Sequence, residues 1–319
     1  MHKTLLRRVS RFLVGYVIFC VVAGIVVTEL SLHLHRRPLP QAVQATAIRI
    51  SSTLGAKLEP VEIAANDGVP LRAWTVVPAQ GKGNTILLLH GVTDNRLGVA
   101  GYAQFFVRHG YTVLIPDSRA HGESGGRIAT YGLRESNDIH LWVDWIEEHQ
   151  HPGCVFGMGE SMGAALLLQS LRGEHRFCAV IAESSFANAR EVEAERLANF
   201  VGMPPWFGNT VLRPIVWTGF IYSRLRYGIN LDNASPERAV EQVTVPILLI
   251  HGAEDINIRP WHSRQILAHN PRIVLWEVPG AIHTGAWNAQ PQEFERKVLD
   301  WFQVHNHVSV SLKRVLRPG

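Results

Sequence analysis

Cys154-Val155-Phe156-Gly157-Met158-Gly159-Glu160-Ser161-Met162-Gly163-Ala164-Ala165-Leu166-Leu167-Leu168 joins two apolar runs through a serine between glycines. The first run, Cys154–Met158, is short and reads as a strand buried on both faces; the second, continuing to Leu171, reads as an apolar helix. Alone, G-x-S-x-G is a weak pattern, since glycine and serine are common. Strand, sharp turn and helix in direct succession make it specific: this is the setting of a nucleophile elbow, with Ser161 Oγ held at the tip of a sheet. Side chains at 159 or 163 would collide with neighbouring backbone in so tight a turn. The N-terminus of the following helix favours negative charge developing beside the serine.

Working outward, the same alternation recurs. Val61–Ala65 and Leu71–Val77 read as a hairpin closed by Asn66-Asp67-Gly68. Apolar runs follow at Thr85–His90, Tyr111–Pro116, Ala179–Ala182, Pro246–Ile250 and Ile273–Val278. Helical patterns lie between or after them at Gly101–His109, Leu133–Gln150, Trp261–His269 and Pro291–His305. Such alternation predicts an α/β fold: eight strands, mostly parallel, with helices on both faces. Residues 187–243 are too long for a simple connection between the sixth and seventh strands. Rich in aromatics such as Phe200, Trp206, Trp217 and Phe220, they are read as a helical cap whose aromatics line an apolar pocket.

A serine hydroxyl needs a base, and the base needs a carboxylate to orient it. Both should follow later strands, whose C-terminal ends share one edge of the sheet. After Pro246–Ile250 comes His251-Gly252-Ala253-Glu254-Asp255; after Ile273–Val278 comes Pro279-Gly280-Ala281-Ile282-His283. The expected triad is therefore Ser161, Asp255 and His283. Glu254 and Glu183 compete as the acid. His90, His121 and His251 each precede or sit in a strand-end turn and are expected to be structural, and His262 is expected at the surface. An oxyanion hole would use the N–H of Met162 and that of Val92, with Thr93 as the alternative to Val92.

From about residue 58 to 305 the chain resembles the α/β-hydrolase superfamily. Asp117-Ser118-Arg119-Ala120-His121-Gly122-Glu123-Ser124 is similar to that superfamily's D-x-R-x-H-G-x-S turn, and the His251–Asp255 segment resembles its acid loop. Gly159–Gly163, Glu183-Ser184-Ser185-Phe186, the modest cap and Ser235-Pro236 resemble its membrane-anchored branch. The resemblance implies ester, thioester or amide hydrolysis, often on lipophilic acyl substrates; the expected reaction is cleavage of carboxylic esters or thioesters through an acyl-enzyme. A peptidase or amidase on the same triad, and a non-catalytic binding scaffold, are the alternatives. Cofactor-free haloperoxidase chemistry would be incidental. Serine at the elbow excludes the dehalogenase and epoxide-hydrolase relatives, which carry aspartate there.

Phe12–Val27 is uncharged and apolar, and with Thr28–Leu32 it reaches about 20 residues, enough to cross a bilayer as a helix. Glu29 sits near one end, where a carboxylate can reach the headgroups. The stretch after the core is a poor cleavage site, so the segment is read as an uncleaved anchor rather than a signal peptide. Lys3, Arg7, Arg8 and Arg11 precede it and Arg36 and Arg37 follow, a bias that puts the N-terminus in the cytoplasm and the hydrolase domain on the other side. The expected organisation is a basic region (1–11), a transmembrane anchor (12–32), a tether (33–57), an α/β-hydrolase domain (58–305, cap 187–243) and a tail (306–319). The expected partners are thus an acyl ester or thioester and the lipid bilayer.

In bulk, 46% of the 319 residues are hydrophobic and 18% charged, the composition of a globular chain. The net charge of +4 forms no basic face, which argues against nucleic-acid binding. No metal or nucleotide motif occurs, so no cofactor is expected. The three cysteines make no disulfide framework. Cys154 and Cys178 each open a strand and are read as small buried apolar residues, able to pair only in an oxidising compartment.

Overall fold

The computed structural model describes residues 2–39 and 51–306. Residues 40–50 of the tether lie outside them, as does the tail beyond Asn306 with His307, Lys313, Arg314 and Arg317. The eight strands are β1 (Ala56–Ala64), β2 (Pro70–Pro78), β3 (Thr85–Leu89), β4 (Thr112–Pro116), β5 (Val155–Glu160), β6 (Phe177–Glu183), β7 (Ile247–Gly252) and β8 (Val274–Val278). They form one sheet in the order β1-β2-β4-β3-β5-β6-β7-β8. β2 pairs antiparallel with β1 and β4, and every other pair is parallel. The hairpin turn closes through Ala65 N–H donating to Val69 O, with Gly68 at φ 76°.

Continuous apolar strands are explained by burial on both faces. Along β3, Ile86 and Leu88 enter one core and Leu87 and Leu89 the other, and all four are buried. One face is covered by α2 (Ala100–Arg108) and, further on, α11 (Pro291–Val304), whose Phe106 and Phe302 pack with Phe156 of β5. The other is covered by α3 (Glu135–Gln150) and α4 (Met162–Ser170). Between β6 and β7 stand the cap helices α5 (Ala189–Phe200), α6 (Pro205–Thr210) and α7 (Arg213–Tyr227), a 3-10 turn (Leu231–Asn233) and α8 (Pro236–Ala239). α9 (Trp261–His269) and α10 (Ala286–Ala289) complete the chain around β8.

The loop after β4 is fixed by buried charge. Asp117 accepts from Arg96 N–H, Nε and Nη2 and from Glu123 N–H at 2.6–3.1 Å, while Arg119 forms a two-pronged pair with Asp138. Both Arg96 and Asp117 are fully buried and pair with each other, and Arg96 Nη2 also donates to the half-exposed Glu123 at 2.8 Å.

Two expectations are corrected here. Cys154 and Cys178 are bonded to each other, because the parallel strands β5 and β6 bring their N-terminal ends side by side with the two Cα atoms 5.8 Å apart. His262 is not at the surface: it is buried, its Nδ1 accepts from Ala187 N–H, and its Nε2 lies 3.4 Å from Glu195 of the cap. The start of α9 tucks beneath α5, where Trp261 stacks on His262 and donates to Glu195.

The N-terminal segment is one helix, α1 (His2–Leu32), of 31 residues. Its first half projects from the domain with Phe12, Val17, Ile18 and Phe19 exposed. Its second half is not featureless: Cys20, Gly24, Thr28 and Leu32, at four-residue spacing, form a stripe buried by the domain. Gly24 lies against α7, where an added Cβ would stand 2.6 Å from Ile215 O. Glu29, about a third exposed, accepts from the hydroxyls of both Tyr222 and Tyr227 at 2.6 Å. Leu32 O accepts from Ala129 N–H, and Arg36 donates to the carbonyls of Ser124 and Gly126 in the loop after β4.

Candidate active site

β5 lies at the centre of the sheet, between β3 and β6, and its C-terminal end turns sharply into α4. Ser161 takes the turn at φ 51°, ψ −115°, a conformation that costs a non-glycine residue energy and lifts its side chain clear of the sheet. Glycine is required on both sides. A Cβ at 159 would lie 2.5 Å from Gly163 C, and one at 163 would lie 2.5 Å from Leu89 O at the end of β3. Ser161 N–H donates to Glu183 O, tying the turn to β6.

His283 follows β8 in a loop held at several points. Glu254 N–H donates to Ala281 O and Ala253 N–H to Val278 O, so the loops after β7 and β8 are bonded together. Thr284, at φ 50°, donates its N–H to Ser184 Oγ. The result places His283 Nε2 2.9 Å from Ser161 Oγ and His283 Nδ1 2.7 Å from Asp255 Oδ2. Asp255 Oδ1 accepts from the N–H groups of Asn257 and Ile258 at 2.9 and 3.0 Å. Burial pushes the Asp255 carboxyl up, but hydrogen bonds from His251, His283 and the Ile258 N–H outweigh it and hold the group below the ordinary carboxylate range.

The rival acids are engaged elsewhere or exposed. Glu254 points to solvent. Glu183 is fully buried, with Oε2 accepting from Tyr102 O–H at 2.9 Å and Oε1 from Ala286 N–H at 3.1 Å. Burial raises its affinity for a proton, against those two donors. The remaining histidines hold turns: His90 Nε2 accepts from Ser118 N–H, His121 Nδ1 meets Arg119 O, and His251 lies between Ser263 Oγ and Ile258 O.

Val92 and Met162 both line the cavity at Ser161, and among the described residues neither backbone N–H has a hydrogen-bond partner. Gly91 brings that loop close, an added Cβ lying 3.6 Å from Ser161 Cβ. An oxyanion would need two such donors beside the hydroxyl. The cavity has a volume of about 510 Å³, within the range of small-molecule sites. Val192, Ile215, Val216, Phe220 and Leu231 give it apolar walls. Most of the cap aromatics expected there are not: Trp206 and Trp217 face outward, Tyr222 and Tyr227 face Glu29, and only Phe200 and Phe220 of the aromatics in 187–243 line it.

Two groups stand out among the lining residues that the sequence did not mark. One is Val27, Thr28 and Ser31 of α1. The other is Glu160, the variable residue of the elbow. Burial, then the negative charges of Glu183 and Asp94, push its carboxyl up to about 8 against the pull of the Gly91 N–H. The four-residue spacing of small residues in α1 was the available signal for the first; nothing in spacing marks the second. Among the described residues no cluster of His, Cys, Asp and Glu could hold a metal ion.

Residues 86–297 match the description of the Alpha/beta hydrolase family. The chain belongs to that family. This hydrolase is 32% identical over 191 residues to YqkD of Bacillus subtilis, an alignment spanning 59% of the present chain and 60% of YqkD. It is also 29% identical over 101 residues to a thermostable monoacylglycerol lipase of Bacillus sp. strain H-257, covering 30% of this chain and 38% of the lipase. The chain therefore spans less than two thirds of the length of these relatives. Among solved structures, the esterase Pf2001 of Pyrococcus furiosus superposes with a TM-score of 0.66 over 86% of this hydrolase and 97% of the esterase, at 23% identity, a likeness of fold.

Proposed function

We propose that this α/β hydrolase is a serine hydrolase of carboxylic esters or thioesters with a lipophilic acyl group, acting through an acyl-enzyme on Ser161. The observation that carries the reading is the continuous chain Asp255–His283–Ser161, at 2.7 and 2.9 Å, opening on an apolar cavity. Asp255 holds the tautomer in which His283 Nδ1 carries the proton and Nε2 is free to accept one. His283 Nε2 takes the Ser161 proton as Oγ adds to the substrate carbonyl. The resulting oxyanion is bound by the Met162 and Val92 N–H groups. The proton passes to the leaving alcohol or thiol, the C–O or C–S bond breaks, and the acyl group stays on Oγ. Water, deprotonated by His283, then releases the acid and regenerates the serine.

α1 is read as a membrane anchor that is retained, with the hydrolase domain on the non-cytoplasmic side. Its length and apolar surface, the basic residues ahead of it and the Cys154–Cys178 bond support this, since disulfides persist in oxidising compartments. Reporters fused to the C-terminus that are active only in the cytoplasm would overturn the orientation.

The test of the activity is a fluorophosphonate probe on the full-length, detergent-solubilised protein. Labelling of the wild type and none of Ser161→Ala is expected, followed by hydrolysis of an ester panel that improves with acyl length. A folded wild type that takes no label rejects the serine-hydrolase reading in favour of a binding scaffold.

A further inference from the structure

The anchor and the cap are not separate devices. Cys20, Gly24 and Thr28 lie along the domain-facing side of α1. Gly24 and Gly219 meet there: a Cβ at 24 would stand 2.8 Å from Gly219 N, and one at 219 would stand 2.9 Å from Gly24 O. Close crossings of this kind are how helices associate in membranes, where small residues let backbones approach. Polar bonds reinforce the contact along its length. Tyr16 O–H donates to Val211 O, Thr218 Oγ to Cys20 O, and both Tyr222 and Tyr227 to Glu29. Beyond the crossing, Tyr131 O–H donates to Ser31 O. The same turns of α1 carry Val27, Thr28 and Ser31 into the wall of the cavity that holds Ser161.

The outer surface of the cap continues the apolar surface of α1. On α7, Trp217, Ile221 and Leu225 are exposed at four-residue spacing, with Leu225 81% exposed. Arg213, Arg224 and Arg226 lie towards the two ends of that helix, where long stems let guanidinium groups reach headgroups. Trp206 and Phe200 add exposed rings from α6 and α5, and Phe200, 89% exposed, also lines the cavity. Large apolar side chains exposed together along one helix face mark an interaction site. The occupant is set by what α7 is packed on: a helix long and apolar enough to cross a bilayer.

We propose that α1 is a wall of the substrate site, that the outer face of the cap rests in the bilayer, and that the substrate is an acyl lipid resident in the membrane which enters past Phe200 without crossing water. The proposal rests on the serine-hydrolase reading for its chemistry, but the surface it assigns is tested independently.

The experiment uses the full-length protein reconstituted in phosphatidylcholine vesicles. The variant Trp217→Gln/Ile221→Gln/Leu225→Gln alters only the outer face of α7. It is expected to label with fluorophosphonate and to hydrolyse water-soluble p-nitrophenyl acetate within about twofold of wild type. Its turnover of a fluorogenic oleoyl ester dissolved in the vesicles is expected to fall at least tenfold. In a second arm, a fluorophore attached at Leu225→Cys is expected to be quenched by spin-labelled lipid. In a third, Gly24→Leu, which forces α1 away from α7, is expected to lower the ratio of kcat/KM for dodecanoyl over acetyl esters at least tenfold. Unchanged turnover of the vesicle ester in the triple variant, or no quenching at 225, overturns the proposal. Absence of probe labelling in the wild type would instead reject the serine-hydrolase chemistry, and quenching at 225 would still decide the surface.

Discussion

The strand-end edge of the sheet and the helical wall opposite it enclose the same cavity but are built on different terms. At the edge, position is set by backbone. Ser161, Ser184 and Thr284 all stand at positive φ, the loops after β7 and β8 are cross-bonded, and a single added methyl at Gly163 would meet Leu89 O. At the wall, position is set by side chains from three sources, the cap, the 3-10 turn and α1, none of whose lining residues stands at positive φ. Chemistry that needs hydrogen bonds of 2.7 and 2.9 Å tolerates little displacement, and strained backbone tied into a sheet supplies that rigidity. A surface that accommodates an acyl chain needs only shape and apolarity, which helices supply and can revise.

If that division is right, substitutions at the edge should act all-or-none and those at the wall by degrees. The largest effect is expected for Asp255→Asn. It should lower kcat/KM by about 10⁴-fold with the fold intact, because His283 loses the acceptor that fixes its tautomer. Ester kinetics with a parallel circular dichroism melt would check it, and full activity would reopen the case for Glu183 or Glu254. Next is Asp117→Ala. It leaves the buried Arg96 guanidinium only the half-exposed Glu123 as a charged partner, and urea unfolding should show a loss of about 3 kcal/mol.

At the wall, Val192→Ala should leave the maximal rate on short esters near wild type and move the acyl-length optimum. The ratio of kcat/KM between esters two carbons apart should shift by about three- to tenfold, in keeping with the worth of one or two methylenes in an apolar pocket. A total loss of activity would break the comparison. The smallest effect belongs to Glu160. Its carboxyl is pushed up to about 8 in the folded protein, against an ordinary value of 4.5. The folded state therefore holds a proton that the unfolded state gives up. The stability this contributes is complete below the ordinary value and is lost as pH rises through about 8. Melting temperature should thus fall between pH 5 and 8.5 in the wild type, and fall less in Glu160→Gln.

The edge was legible in the sequence and much of the wall was not, for the same physical reason. Strand-end loops carry their instructions locally: Gly159–Gly163 announces its own turn, and His251–Asp255 and Ala281–His283 each directly follow an apolar run. Periodicity places all of these on one side of a parallel sheet. The wall depends on which helices meet across long separations. The Phe, Trp and Tyr residues of 187–243 could be assigned to a cap but not oriented within it, so outward-facing Trp217 and inward-facing Phe220 look alike. The stripe Cys20, Gly24, Thr28 is invisible when the segment is weighed only for hydrophobicity. His262 was misplaced because the burial of α9 under α5 is a tertiary fact. Whether Cys154 and Cys178 pair is open in the sequence because strand adjacency, not sequence distance, decides whether two thiols meet.

The crossing of Gly24 and Gly219 has one further consequence. Where an enzyme resides and what it accepts are usually separate inheritances, an address attached to a domain that would work without it. On the reading proposed above, one helix carries both. Proteolysis after Leu32 would not release an intact enzyme but one with an opened pocket, and a recombinant fragment beginning at the tether would report the selectivity of a different protein. A substitution that adapts α1 to another membrane would pass through Val27, Thr28 and Ser31 into substrate preference, so the two traits must drift together.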